Sequence, residues 1–420
     1  MALTSKLSAI GDAIRSKNGT TDLMLLDDMP AAIEAIQGGG GSIEIPTMTG
    51  DCTGRFQNAQ WDWFIEQCGN QITTSDISSA RSMFNHCHVT KIPFEINLTD
   101  GAFVDSMFYG TMNLTSVPQI NGLMGSSEQM FYQSSLTEIP DLYFNGTASN
   151  IRNMFYDCFK LERIGTIHNL SSNKGFSSVF YNCYRLKELP EFDNLDLSES
   201  YTGTDKIWLG YSGTFRACYS LRSIPSSLLK LFDATTESYN SMCSNMFFQC
   251  YALDEINCLY PLNITATKNH FSGIVDSCHR IKNFTFDVQE DGTPYVRNWT
   301  SQTIDLSYYA GYLHEQWTSN ITNYSQWSGI TTDKRVTDAD SYAALKDDPD
   351  WWTTDAAYSR YNHDSAVETI NSLPDTSAYG SNTIKFNGAA GASTDGGAIN
   401  TLTEEEIAVA TAKGWTVTFS

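Results

Sequence analysis

The stretch Asn153-Met-Phe-Tyr-Asp-Cys-Phe-Lys-Leu-Glu-Arg-Ile164 decides the fold, because near copies of it recur along the chain. Upstream stand Ser82-Met-Phe-Asn-His-Cys-His-Val-Thr-Lys-Ile-Pro93, Ser106-Met-Phe-Tyr-Gly-Thr-Met-Asn-Leu-Thr-Ser-Val-Pro118 and Gln129-Met-Phe-Tyr-Gln-Ser-Ser-Leu-Thr-Glu-Ile-Pro140. Downstream, further copies begin at Ser178, Gly213, Asn245 and Gly273. The shared aromatic falls at Phe84, Phe108, Phe131, Phe155, Phe180, Phe215 and Phe247, with Val275 in the eighth copy. The first steps between these positions are 24, 23, 24 and 25 residues, and the later ones are 35, 32 and 28. A period of this size marks an array whose units bury their apolar side chains only by stacking on one another. The longer steps imply insertions between units.

The pattern Met-Phe-x-x-Cys-x-x-Leu-x-x-Ile-Pro reads as one turn of a coil. Leu and Ile followed by Pro suit a short strand or bend that ends at the proline, which cannot donate to a ladder. Met-Phe belongs to the preceding helical or turn segment and points inward. Cys87, Cys158, Cys183, Cys218, Cys250 and Cys278 share one column, with Thr111 and Ser134 in the other two units. A column shared by Cys, Thr and Ser calls for a small, weakly polar, buried residue, so the thiols are expected to be free. In His86-Cys87-His88 adjacent side chains point apart and no second ligand pair stands at metal-site spacing, so no metal is expected there.

These units resemble the BspA-like branch of the leucine-rich repeats, over about residues 60–290. The resemblance implies an α/β repeat fold, a leucine-rich-repeat solenoid. Members occur as bacterial and protist surface adhesins and in bacteriophage tail and fibre proteins. Two other segments are similar to phage tail-associated proteins: the N-terminal Ala13-Ile-Arg-Ser-Lys-Asn-Gly-Thr-Thr-Asp22 and the C-terminal Leu402-Thr-Glu-Glu-Glu-Ile-Ala-Val-Ala-Thr-Ala-Lys-Gly-Trp415.

The flanks divide the chain further. Leu3, Leu7, Ile10 and Ile14 form one apolar helix face. Residues 1–37 are therefore expected to be a helical anchoring or oligomerisation module, joined by a Gly-rich linker, 38–50, to the solenoid at 51–298. That apolar face either docks on other virion proteins, self-associates, or packs on its own solenoid. Residues 299–362 are an aromatic-rich insertion and 363–420 a C-terminal cap. Within the insertion Trp317, Trp327, Trp351 and Trp352 are candidates for a recognition surface; the alternative is a local core closing the end of the array. The column Phe159, Tyr184, Tyr219 and Tyr251 is either a glycan-binding ladder or a packed stack. Residues 363–374 are expected to form a helix capped by Ser or Asp, and 383–386 a strand.

Composition sets the remaining bounds. A net charge of −22 argues against nucleic acid and against an anionic membrane. No apolar run has the length of a secretory signal core or a membrane span. The expectation is a non-enzymatic phage virion protein made in a host cytoplasm: a tail fibre or baseplate-associated adhesin, homo-oligomeric, recognising a host-surface glycan or protein, with no cofactor. A capsid fibre or decoration protein and a bacterial surface adhesin are the alternatives. A glycan hydrolase would need a pair of carboxylates in a cleft.

Overall fold

The computed structural model describes residues 47–146, 150–170, 176–193, 212–225, 228, 243–259, 269, 271–278, 281–307, 338–346, 361–386 and 402–419. The expected N-terminal face (Leu3, Leu7, Ile10, Ile14), the Gly38–Gly41 joint, and Trp317, Trp327, Trp351 and Trp352 lie outside the described residues.

Each Met-Phe segment is a run of tight turns, not a helix. In the unit around Phe84, Met83 N donates to Ala80 O, Asn85 N to Ser82 O and Cys87 N to Phe84 O. The alternate amides reach the next unit: Ser82 N donates to Asp105 O, Phe84 N to Met107 O and His86 N to Tyr109 O. Every second amide thus closes a turn and the ones between bridge two units, so a buried backbone is satisfied without regular secondary structure.

This alternation needs left-handed backbone two residues before and two residues after each Phe. Ser82 and His86 have φ of 50° and 52°, Asn153 and Asp157 54° and 60°, Gly213 and Ala217 61° and 58°. Ser, Asn, Asp, Gln and Gly hold most of these positions, and Gly, Asn and Asp tolerate the left-handed region best. Ser106, φ 53°, is half-buried. Ser106→Gly should therefore raise the unfolding free energy measured in urea by about 0.5–1 kcal/mol, and Ser106→Val should lower it. A Gly variant no more stable than wild type would show that this φ carries no strain.

The same bonding extends the array one unit upstream of the copies visible in sequence. Phe56 N donates to Met83 O and Asn58 N to Asn85 O, while Gly54 and Asn58 have φ of 62°. The Phe56 ring stacks on Phe84 at 5.6 Å. From Phe84 to Phe247 consecutive rings lie 5.4–5.8 Å apart and within 12° of parallel. Phe84, Phe108, Phe131, Phe155, Phe180 and Phe247 are all 0% exposed. Val275 is buried at the far end of the column.

The strands are short and parallel. β1 (Met48–Asp51), β2 (Thr74–Ser79), β3 (Ile96–Phe103) and β4 (Ile120–Asn121) form one sheet in that order. β5 (Glu138–Ile139) pairs with β7 (Arg163–Ile164), and β6 (Leu142–Tyr143) with β8 (Ile167–His168), which pairs with β9 (Phe192–Asp193). β10 (Glu255–Leu259) pairs with β11 (Asn283–Phe286). β5 ends at Ile139, just before Pro140, as the pattern suggests, but four strands start after a proline instead: β3 begins three residues past Pro93, and β4, β6 and β9 two past Pro118, Pro140 and Pro190. Proline lacks an amide hydrogen, so the ladder resumes beyond it. Between β1 and β2 a short helix, α1 (Asp62–Cys68), lies against the array.

After residue 281 the units change character. β12 (Thr303–Asp305), β13 (Asn382–Phe386) and β14 (Trp415–Phe419) form a parallel sheet. The described part of the segment between β12 and β13 holds α2 (Ala339–Lys346) and α3 (His363–Ser372); α4 (Glu404–Ala412) precedes β14. α3 packs on β11 and against α4. Its cap is Asn362, not the expected Ser or Asp: Asn362 Oδ1 accepts Ser365 N, and Ser365 answers from the third position as a capping box. Thr403 and Glu406 do the same for α4. Trp299 and Tyr361, grouped with the insertion in sequence, are 0% exposed beside Trp415 and Phe386. Trp415 Nε1 donates to Pro374 O at 2.9 Å. Buried Asn382 donates to Trp299 O and Thr376 Oγ1 and accepts from Gln302 N, tying three segments together. β1 crosses the expected linker boundary at 50/51.

Candidate functional site

The columns that look chemical in sequence are absorbed by packing. Cys158 Sγ donates to Phe131 O at 2.9 Å, Cys183 to Phe155 O, Cys218 to Phe180 O and Cys250 to Phe215 O at 3.1 Å, and Cys278 to Phe247 O at 2.8 Å. Each thiol thus points back at the Phe carbonyl of the preceding unit. Thr111 Oγ1 donates to its own Phe108 O, and Ser134 Oγ lies 3.6 Å from Cys158 Sγ. Cys87 departs from the column and donates to the Asp62 carboxylate at the start of α1. The nine cysteines with described side chains are free. Burial pushes the column thiols above their ordinary range, Cys87 and Cys158 to about 12, so they stay protonated and un-nucleophilic. Among the described residues no group of three His, Cys, Asp or Glu could hold a metal ion.

The Phe159/Tyr184/Tyr219/Tyr251 column is a packed stack over its last three members. Tyr184, Tyr219 and Tyr251 stack at 4.7 and 4.6 Å, and Tyr219 and Tyr251 are buried. A second, longer ladder stands one residue after the core Phe: Tyr109, Tyr132, Tyr156 and Tyr181, at 4.7, 4.8 and 4.4 Å and within 7° of parallel. It is half-buried, and desolvation raises the Tyr132 and Tyr156 hydroxyls above their ordinary values. A sugar stacks on a ring face, yet here each internal face is taken by the next tyrosine. His86 stands edge-on at one end and the Arg216 guanidinium covers the other, 5.4 Å from the Tyr181 ring centre. The ladder presents ring edges outward and serves as a stiffener. Its signal was present in the Met-Phe-Tyr of three units and Val-Phe-Tyr of a fourth.

Among the described residues, an open recess stands at a break in the sheet. The arc from Pro93 to Ala102 spans nine residues, from Pro118 to Met124 six, and from Pro140 to Phe144 four, yet Ala102, Met124 and Phe144 are bridged side by side. The chain therefore shortens from unit to unit. β4 pairs with β3 but not with β6, which turns to β8 instead. Gly122, at φ +98°, makes the bend after β4; a Cβ there would sit 2.4 Å from Leu98 O. At this step lies a recess of about 510 Å³, lined by Val117–Gly122 and Met124 on one side and Pro140–Tyr143 on the other.

Its polar groups are set by the strands. Asn121 Nδ2 donates to Asn97 Oδ1 at 2.8 Å and Glu95 Oε2 at 3.0 Å, while its Oδ1 accepts Gln119 Nε2 at 2.9 Å. Asn97 in turn donates to Thr74 O. This amide ladder runs across β2, β3 and β4 and ends at the recess. From the other side Asp141 Oδ1 accepts Thr166 N, which anchors the carboxylate. The Tyr143 ring, 45% exposed, stacks on His168 at 4.5 Å and 6°. His168 Nδ1 is 2.6 Å from Asp193 Oδ2, and that hydrogen bond lowers the Asp193 carboxyl. Tyr143 is thus held from behind by a His–Asp pair while it borders the recess. A further histidine contact among the described residues, His363 Nε2 with Glu406 Oε2 at 3.2 Å, joins α3 to α4. No described helix is long and apolar enough to cross a membrane.

Comparison of the chain with known protein families, curated proteins and solved structures finds no match.

Proposed function

We propose that this chain is a non-enzymatic display protein of a bacteriophage particle, a tail fibre or baseplate-associated adhesin, whose BspA-like leucine-rich-repeat solenoid is a stiff shaft for host-surface recognition. The observation that carries the mechanical part is the Phe column: rings stacked within a few tenths of an ångström of one spacing from Phe56 to Phe247. Such a column, with its thiol-to-carbonyl ladder, resists bending because each unit is bonded to both neighbours. The particle assignment rests on the resemblance of the repeat and of both ends of the sequence to phage tail-associated proteins. Attachment to other virion proteins through residues 1–37 and homo-oligomerisation belong to the same proposal.

Antibody raised against the purified chain tests it. Immunogold labelling of purified particles should place the protein on the tail tip or baseplate. Label on the head would favour the capsid-fibre alternative. Label confined to the surface of uninfected cells would overturn the proposal in favour of a bacterial adhesin.

A further inference from the structure

The recess at the break between β4 and β6 has the features of a saccharide subsite. It holds one exposed aromatic ring, Tyr143, fixed by stacking on His168 and by the His168–Asp193 hydrogen bond. Pre-positioned rings of this kind bind the apolar face of a sugar without losing side-chain freedom. Around it stand groups suited to hydroxyls. Asp141 is anchored through Oδ1 alone, which leaves Oδ2 and the Tyr143 hydroxyl without partners among the described residues. On the opposite wall Gln119, exposed and oriented by its hydrogen bond to Asn121, presents its amide, while both Nδ2 hydrogens of Asn121 are taken by Asn97 and Glu95. A volume of about 510 Å³ falls in the range of small-molecule sites, roughly 300–1,000 Å³.

Charge narrows the ligand. The lining carries Asp141, and Glu95 Oε2 approaches through Asn121; no Lys or Arg is among the lining residues. An anionic sugar would bring its carboxylate against Asp141 with nothing to neutralise it. We infer that the recess binds a neutral or amino-bearing pyranose unit of a surface glycan, stacked on Tyr143 with its hydroxyls shared between Asp141 and the Gln119 amide. The biological meaning rests on the display reading above, whereas the binding chemistry is a property of the purified chain.

Saturation-transfer NMR on the full chain tests it with the methyl glycosides of glucose, galactose, N-acetylglucosamine, glucosamine and glucuronic acid at millimolar concentration. At least one neutral or amino glycoside should receive saturation, and glucuronide should receive none. Tyr143→Ala should weaken binding roughly tenfold or abolish it, and Asp141→Asn should weaken it, both in variants that still melt cooperatively because the two side chains lie at the surface. Tyr132→Phe, in the stiffening ladder, should bind as wild type. No transfer to any glycoside, binding that survives Tyr143→Ala, or equal binding of glucuronide would overturn the inference and leave the display reading standing. Binding as expected with no label on virions would overturn the display reading alone.

Discussion

Raising the pH above 9 should unfold this protein steeply. Cys158, Cys183, Cys218, Cys243, Cys250 and Cys278 are fully buried, and desolvation holds every one above the ordinary thiol value of 9.0. Below pH 9 both folded and unfolded chains keep these protons, and the stability is complete. Above it the unfolded chain loses them while the folded chain does not. The folded state then binds more protons, so stability falls as pH rises. Each thiol contributes a slope of about 1.4 kcal/mol per pH unit. Lys413 acts in the opposite sense: burial lowers its ammonium to about 8, so between pH 8 and its ordinary 10.5 it adds stability with rising pH. The raised thiols outnumber this one lowered ammonium, so the net effect above pH 9 is a loss of stability with rising pH. Urea midpoints between pH 7 and 10.5 measure this directly. Cys183→Ala should flatten the slope by one proton. Midpoints independent of pH from 8 to 10 would show that the column thiols ionise alike in both states.

Phe155→Ala should give the largest loss from a single substitution at neutral pH. The ring is 0% exposed and stacks on Phe131 at 5.7 Å and on Phe180 at 5.5 Å. Removing it leaves a cavity between two units that the bonded backbone, Phe155 N to Val179 O and Phe131 N to Met154 O, prevents from collapsing. The expected cost is about 3–5 kcal/mol. Because the array is held by nearest-neighbour contacts, the defect also uncouples the units on either side. Calorimetry should show a lower melting temperature and a transition that broadens or splits. Tyr156→Ala, one residue on but half-buried, should cost less. An unchanged melt in Phe155→Ala would refute the inward Phe column.

The repeat was legible because its physics is local and periodic. Phe, Cys and Leu recur at constant spacing within each unit, and stacking turns constant spacing into columns. The unit of Phe56 is not legible as a repeat because it keeps only the Phe and the two left-handed positions, Gly54 and Asn58; Ala59 and Asp62 stand where Cys and Leu would be. The Tyr109–Tyr181 ladder was visible letter by letter, but whether an aromatic column offers its faces or consumes them depends on ring orientation, which spacing does not encode. The same holds for Tyr219 and Tyr251, whose burial removes the glycan reading from that column.

What the sequence alone determined is the identity of the columns: which residues face inward and which position holds the thiols. A side chain's direction within one turn of chain follows from its place in the unit. Only the tertiary structure decided which strands pair and where they fail to. The arcs of nine, six and four residues after Pro93, Pro118 and Pro140 could be counted from the start. Their consequence could not, because a surplus residue either bulges or shifts the register, and the choice depends on hydrogen bonds to units more than twenty residues away. Here Ala102, Met124 and Phe144 hold register, and the chain between β4 and Met124 turns at Gly122, close against Leu98. That choice opens the recess beside Tyr143.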